Sequence, residues 1–266
     1  MTIGISRGGR SIAAALIAMV VLGLGCGSTT AARTCDAGDD ENGAKRILFI
    51  GNSLTYFNGL PQMFAALADS AGETAPVVEA VAYPDFGLEQ HWEDGRAADA
   101  IRAGCWDVVV LQQGPSSLAE SRALLLDYAG RYAALVRESG GQTALFSVWP
   151  SASRRGDFDR AIESYALAAD AVDGVLLPAA TAWLQAWERD AELALYADGL
   201  HPTPRGSYLA AAVMVGRLYG QPQLRLPARL EYRGAGGARQ EVRLDAAAVG
   251  VLQEAARAAL ALHPQD

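Results

Sequence analysis

Five short apolar runs, each followed by a segment of helical period, set the terms on which this chain can fold. They are ILFI at 47–50, VVEAV at 77–81, VVVLQ at 108–112, TALFSVW at 143–149 and GVLLPA at 174–179. Continuous apolar runs of this length fit strands covered on both faces, and strands separated by helices fit a parallel sheet with right-handed crossovers. The intervening segments with helical period lie at 60–71, 88–103, 118–138, 157–172 and 181–193, and a last one at 204–219 opens on Pro204, where a missing N–H is harmless. With 266 residues, 51% of them hydrophobic, the chain can bury one large core. The expected class is therefore α/β, with the main domain at 45–220.

The ends of the chain read differently. Arg7 and Arg10 precede the apolar run from Ile12 to Gly25, the n-region and h-region of a secretory signal at 1–25, too short for a comfortable membrane span. Residues 26–44 are small, polar and acidic without apolar periodicity, and they read as a tether. Residues 221–266 hold two short polar strands around a Gly-rich turn and an alanine-rich amphipathic helix, too small to stand alone and expected to pack on the main domain. The placement of Cys26 directly after Gly25 resembles the lipid-accepting cysteine of bacterial lipoproteins, although Gly23 stands where that motif usually has Leu. That resemblance implies export and a lipid anchor at Cys26. It leaves Cys35 and Cys105 as an even pair in an oxidising compartment, where a disulfide persists; the alternative is two unrelated thiols. A formal net charge of −8 and the lack of a basic stripe argue against a nucleic-acid partner.

Chemistry enters at the end of the first apolar run, in GNSLT at 51–55. The carboxyl ends of parallel strands are where open α/β sheets bind ligands. A hydroxyl there can be a nucleophile, or Ser53 or Thr55 can simply cap the next helix. Serine needs a base, and the chain has three histidines. His263 lies at the chain end and His91 within a helical segment, where packing or a surface position is the plain reading. His201 sits in DGLHP with Asp198 three residues before it. At that spacing the carboxylate can reach Nδ1–H and leave Nε2 to act as base. The plain reading of this pair is loop decoration before a helix.

Taken together, GNSLT at 51–55, YPDFG at 83–87 and DGLHP at 198–202 resemble the blocks of the SGNH or GDSL hydrolases over about residues 45–220. Asn52 replaces the usual aspartate of the nucleophile block. The resemblance implies a flavodoxin-like, five-stranded parallel sheet with helices on both faces and ester hydrolysis by Ser53, His201 and Asp198. Gly87 matches the second-block glycine whose N–H faces the oxyanion. The third block departs from the family's Gly-x-Asn-Asp, since the chain has VVVLQQGPSS at 108–117. Gln112 is the first choice to supply the missing amide and Gln113 the second, while a register set by Gly114 would put Ser116 there. Trp149 and Pro150 are expected either to border the pocket or to pack as ordinary core.

No zinc-type Cys/His spacing and no nucleotide-binding glycine loop is present, so neither a metal nor another cofactor is expected. The expected substrate is a small-molecule or carbohydrate ester, possible O-acetyl groups included, with membrane contact only through the lipid. Two other readings stand beside it: a binding lipoprotein that keeps the fold and has lost turnover, and a lipase or thioesterase for longer acyl chains.

Overall fold

The computed structural model describes residues 1–2 and 43–265, apart from 222 and 224. All but the first two residues of the expected signal at 1–25, Cys26, Cys35 and nearly all of the tether at 26–44 lie outside the described residues. The chain divides into Met1–Ala32 and Arg33–Asp266, and every element described here belongs to the second unit.

The five apolar runs form β1 (Arg46–Gly51), β2 (Val77–Ala82), β3 (Val108–Leu111), β4 (Gln142–Phe146) and β5 (Val175–Leu177). They make one parallel sheet in the order β2-β1-β3-β4-β5, so β1 and β3 are neighbours, with Ile47 beside Val108 and Ile50 beside Leu111. This is the flavodoxin-like arrangement of the SGNH hydrolase fold. All four residues of β3 are buried, and all but the first of β1 and β4. No residue of the edge strand β2 is fully buried. Its apolar run reads like the others, but with only β1 as a partner one long side of it meets water.

Helices follow the strands as α1 (Ser53–Tyr56), α2 (Leu60–Ser70), α3 (Leu88–Asp94), α4 (Arg96–Ala103), α5 (Ala119–Glu138), α6 (Phe158–Ala171), α7 (Ala179–Arg189) and α8 (Pro204–Leu218). The single helix expected at 88–103 is two, because Gly95 at φ 85° ends α3 in the left-handed region and starts α4. The strand expected to run to Trp149 stops at Phe146. Its continuation turns into the core, where the Trp149 ring stacks on Trp183 at 3.7 Å. Two further strands, β6 (Arg229–Arg233) and β7 (Arg239–Arg243), pair as an antiparallel hairpin, and α9 (Ala246–Leu262) closes the chain. This appendage rests on helices rather than on the sheet. α9 packs against α7 and α8, β6 against α2, and the Tyr232 hydroxyl donates to the Asn58 carbonyl at 2.6 Å. Among the described residues no helix is long and apolar enough to cross a membrane.

Gly51 ends β1 at the point where three loops converge. A Cβ there would collide with Gln112 Oε1 and Thr55 Oγ1, both buried. Overpacking of this kind costs about 1–3 kcal/mol, so Gly51→Ala should lower the thermal midpoint by roughly 3–10 °C. An unchanged midpoint would show that the turn can widen without strain.

Candidate active site

The parallel sheet aims all its strand ends at one edge, and the loops leaving that edge bring the predicted residues together. Ser53 opens α1 immediately after β1, with Asn52 as the helix cap: Asn52 Oδ1 accepts from the Leu54 N–H at 3.1 Å. The cap that serine was weighed against is thus supplied by its neighbour, and the Ser53 hydroxyl is turned elsewhere. It lies 3.0 Å from His201 Nε2. His201 Nδ1–H donates to Asp198 Oδ2 at 2.7 Å, which fixes the tautomer that leaves Nε2 free to accept from serine.

The loop carrying Asp198 and His201 is braced on several sides. Asp198 Oδ1 accepts from the backbone N–H of Leu200 at 2.9 Å and of His201 at 2.7 Å. The bond from the His201 side chain, then those from the His201 and Leu200 backbones, hold the Asp198 carboxyl down at about 2. This carboxylate is exposed, so the effect is an orientation more than a store of stability. The Trp149 indole donates to the Leu200 carbonyl at 3.0 Å, and the Ala152 N–H to Gly199 at 2.7 Å. Phe57 stacks on the imidazole at 4.0 Å with the rings 11° apart. Asn58, at φ 54°, sends its amide to the Pro202 carbonyl and the Ser207 hydroxyl, each at 2.9 Å. Phe57 and Asn58 were not singled out from sequence. The Asn58-Gly59 pair is a turn signal, but nothing in it says that the turn grips the histidine loop.

The third block is where expectation and structure part. Gln112, first choice for the oxyanion amide, is fully buried and does not line the cleft. Its Oε1 accepts from the Asn52 N–H at 2.8 Å and from the Thr55 hydroxyl at 2.7 Å, while its Nε2 donates to the Gln113 carbonyl. It is a brace for the turn that carries Ser53. Gln113 does line the cleft, but both its amide hydrogens are engaged, by Ser116 Oγ and the Ser121 carbonyl at 2.9 Å each. Ser116 also lines the cleft, and its hydroxyl donates to the Gly114 carbonyl at 3.0 Å. Tyr165 fastens this loop from beneath, its hydroxyl 2.7 Å from the Gln113 carbonyl. Gly87 stands at the cleft, with its N–H donating to the exposed Gln90 Oε1 at 2.8 Å. Asn52 also faces the cleft and uses one amide hydrogen on the Phe86 carbonyl at 3.0 Å.

These loops enclose a cleft of about 540 Å³ that contains Ser53. Phe86, Pro115 and Pro150 line it together with the exposed side chains of Leu118, Leu124 and Leu200. Trp149 lies wholly buried behind Pro150 and does not border the cleft, so of that pair only the proline is a wall residue. Arg154 lines the cleft as well, and no motif pointed to it. Among the described residues no group of three His, Cys, Asp or Glu side chains is placed to hold a metal ion.

The other two histidines have structural places. His91 is fully buried under the nucleophile turn, and its Nε2–H donates to the Gly51 carbonyl at 2.7 Å. Its Nδ1 is buried without a partner. His263 is held, not loose, with its Nε2 2.9 Å from the Thr181 hydroxyl. Cys105 precedes β3 at the opposite, amino-terminal edge of the sheet, and its carbonyl accepts from Arg46 Nε at 3.0 Å.

No protein-family model matches the sequence, and no curated protein matches it. Solved structures do. A candidate SGNH hydrolase from Slackia heliotrinireducens is 28% identical at a TM-score of 0.56, over 66% of this chain and 99% of that one. A lipase/acylhydrolase from Enterococcus faecalis is 16% identical at 0.53, over 72% and 100%. A mutant of a Geobacillus acetyl-xylooligosaccharide esterase is 16% identical at 0.50, over 65% and 94%.

Burial is the main force that pushes the pKa of His91 down, and burial does the same to His263. A histidine whose folded pKa lies below its unfolded value of 6.5 binds fewer protons folded than unfolded once the pH falls below that value. Stability should therefore be full above about pH 6.5 and decline as acid is added. Urea midpoints taken between pH 7 and pH 5 should fall, and fall less in His91→Gln; equal slopes for the two proteins would mean that His91 is protonated without cost. The chain has the SGNH hydrolase fold, which it shares with these solved structures.

Proposed function

We propose that the protein hydrolyses carboxylic esters through an acyl-enzyme on Ser53. The observation that carries this reading is the continuous chain from Ser53 Oγ to His201 Nε2 at 3.0 Å and from His201 Nδ1 to Asp198 at 2.7 Å. His201 takes the serine proton as Oγ bonds to the acyl carbon, and gives it to the alcohol as the ester bond breaks. Water then repeats the sequence on the acyl-enzyme, releasing the acid and restoring Ser53. Asp198 holds the ring in register and stabilises the imidazolium.

Charge developing on the carbonyl oxygen calls for preset donors. Ser53 supplies one, since the first N–H of a helix has no intrahelical acceptor. Gly87 supplies another when the substrate oxygen displaces the exposed amide oxygen of Gln90. The remaining Asn52 amide hydrogen is the third, in place of the glutamines weighed from sequence. Because Gln112 and Gln113 are both committed elsewhere, the reading as a binding protein without turnover keeps a definite basis and is tested by the same assay.

Substrate scope rests on the cleft and on analogy. The Geobacillus neighbour is an acetyl-xylooligosaccharide esterase, which favours O-acetyl groups on carbohydrate. The exposed Leu118, Leu124 and Leu200 at the cleft favour a longer acyl chain as the second reading. Activity on p-nitrophenyl acetate and octanoate separates the two.

The protein is proposed to be exported and anchored through lipid on Cys26, with Cys35 bridged to Cys105. In support, Gly43 and Lys45 lead directly into β1, beside the start of β3 where Cys105 lies. A chain only eight residues upstream of Gly43 can reach that edge, the one opposite the cleft.

Ser53→Ala and His201→Ala should each reduce ester hydrolysis by at least about 10³-fold, and the double variant should be little worse than either, since the residues act as a unit. A Ser53→Ala enzyme within about tenfold of the parent would sink the assignment. Alkylation of the exported protein without reductant should leave both Cys35 and Cys105 unmodified; labelling of both would exclude the bridge.

A further inference from the structure

The cleft is not uniform in charge. Asp85 and Glu89 line it near Gly87, and Arg154 lines it with Leu200 and Pro150 at the other end. The arginine end is cationic in a chain whose formal net charge is −8. Between Ala152 and Arg160 there are three arginines and two aspartates. Asp157, nearly buried, is paired with both Arg154 and Arg160, so one carboxylate faces two guanidiniums. Only Nη2 of Arg154 is engaged among the described residues, with Asp157 and, at 3.4 Å, with Ser117 Oγ. Its Nη1 and Nε make no such bond among the described residues, and the side chain is 48% exposed.

The position of this cation relative to the catalytic groups is set by the loop that carries it. The Ser151–Arg154 segment is fastened to the histidine loop through the Ala152 N–H on Gly199 at 2.7 Å, and Trp149 just before it holds Leu200. The backbone that carries Arg154 is thereby tied to the His201 side of the cleft, and its guanidinium reaches Ser117 after β3. The His201 side is that of the departing alcohol, because His201 must hand its proton to the alcohol oxygen.

Resting on the esterase reading, we infer that Arg154 binds a carboxylate carried on the alcohol part of the substrate, so that the preferred substrates are esters of hydroxy acids or acidic sugars. A guanidinium that keeps a free N–H suits a carboxylate through a charge-assisted bond. Asp85 and Glu89 repel the same charge from the other end, which fixes the direction in which such an ester lies.

The probes are 4-acetoxybenzoate and its neutral methyl ester, compared by kcat/KM. Their phenols differ in reactivity, so the quantity read is the charged-to-neutral ratio of a variant against that of the parent. In Arg154→Gln the ratio should fall about five- to tenfold. Arg154→Lys should keep most of it, and 0.5 M salt should lower the parent's ratio but not that of Arg154→Gln. An unchanged ratio in Arg154→Gln, or equal losses on both esters, overturns the inference. Calorimetric binding of 4-acetoxybenzoate to Ser53→Ala reads the same contact without turnover: the added Arg154→Gln change should weaken it about five- to tenfold. Equal binding with and without Arg154 overturns the inference even if Ser53 proves not to be the nucleophile. Parent enzyme that hydrolyses neither ester while Ser53→Ala still binds the acid through Arg154 would instead fault the esterase reading and leave the anion site standing.

Discussion

The buried side chain of Gln112 is the contact on which the geometry of the cleft depends. β1 and β3 are neighbours in a parallel sheet, so their carboxyl ends lie side by side. One amide oxygen at the end of β3 accepts from the Asn52 backbone and the Thr55 hydroxyl, clamping the turn that presents Ser53. A buried amide oxygen without such partners would cost free energy, so the turn is held in the one conformation that satisfies it. Gly51 leaves room for this contact, and His91 ties the carbonyl of the same glycine from the opposite direction.

From that fixed serine outward, the remaining parts have to meet it to within fractions of an ångström. His201 arrives from far along the chain on an exposed loop, which alone would be mobile. It is anchored instead by indole, amide and ring contacts: Trp149 on Leu200, Asn58 on Pro202, Phe57 on the imidazole. Two of these three come from the segment directly after Ser53. The residues that follow Ser53 thus grip His201, and serine and histidine are positioned by one local structure. The C-terminal hairpin reaches the same place through Tyr232 on Asn58, so an element remote in sequence supports the site without entering the cleft.

Much of this was legible in the residues. The apolar runs set the strands, their alternation with helices set the parallel sheet, and the spacing of Asp198 and His201 anticipated the bond between them. What sequence hid was direction. Gln112 and Gln113 stand side by side at a strand end, and either can be read as an amide offered to substrate. Because side chains alternate along a strand and its extension, one points into the core and the other to the cleft, and the two letters do not say which. The run at 143–149 looks longer than the strand it forms because Val148 and Trp149 are apolar, although they serve the core beyond the end of the sheet. Arg154 has no signal in the sequence, since arginines in a polar loop carry no pattern; only the cleft gives this one meaning.

The central claim is that Ser53 is the residue His201 activates, and covalent capture tests it most directly. A fluorophosphonate reacts with an activated serine and not with a helix cap. After incubation and digestion, mass spectrometry should place a single stoichiometric adduct on Ser53 in the parent protein and find it absent, on the same timescale, in His201→Ala. An adduct on another serine, or equal labelling of Ser53 with and without His201, would contradict the account.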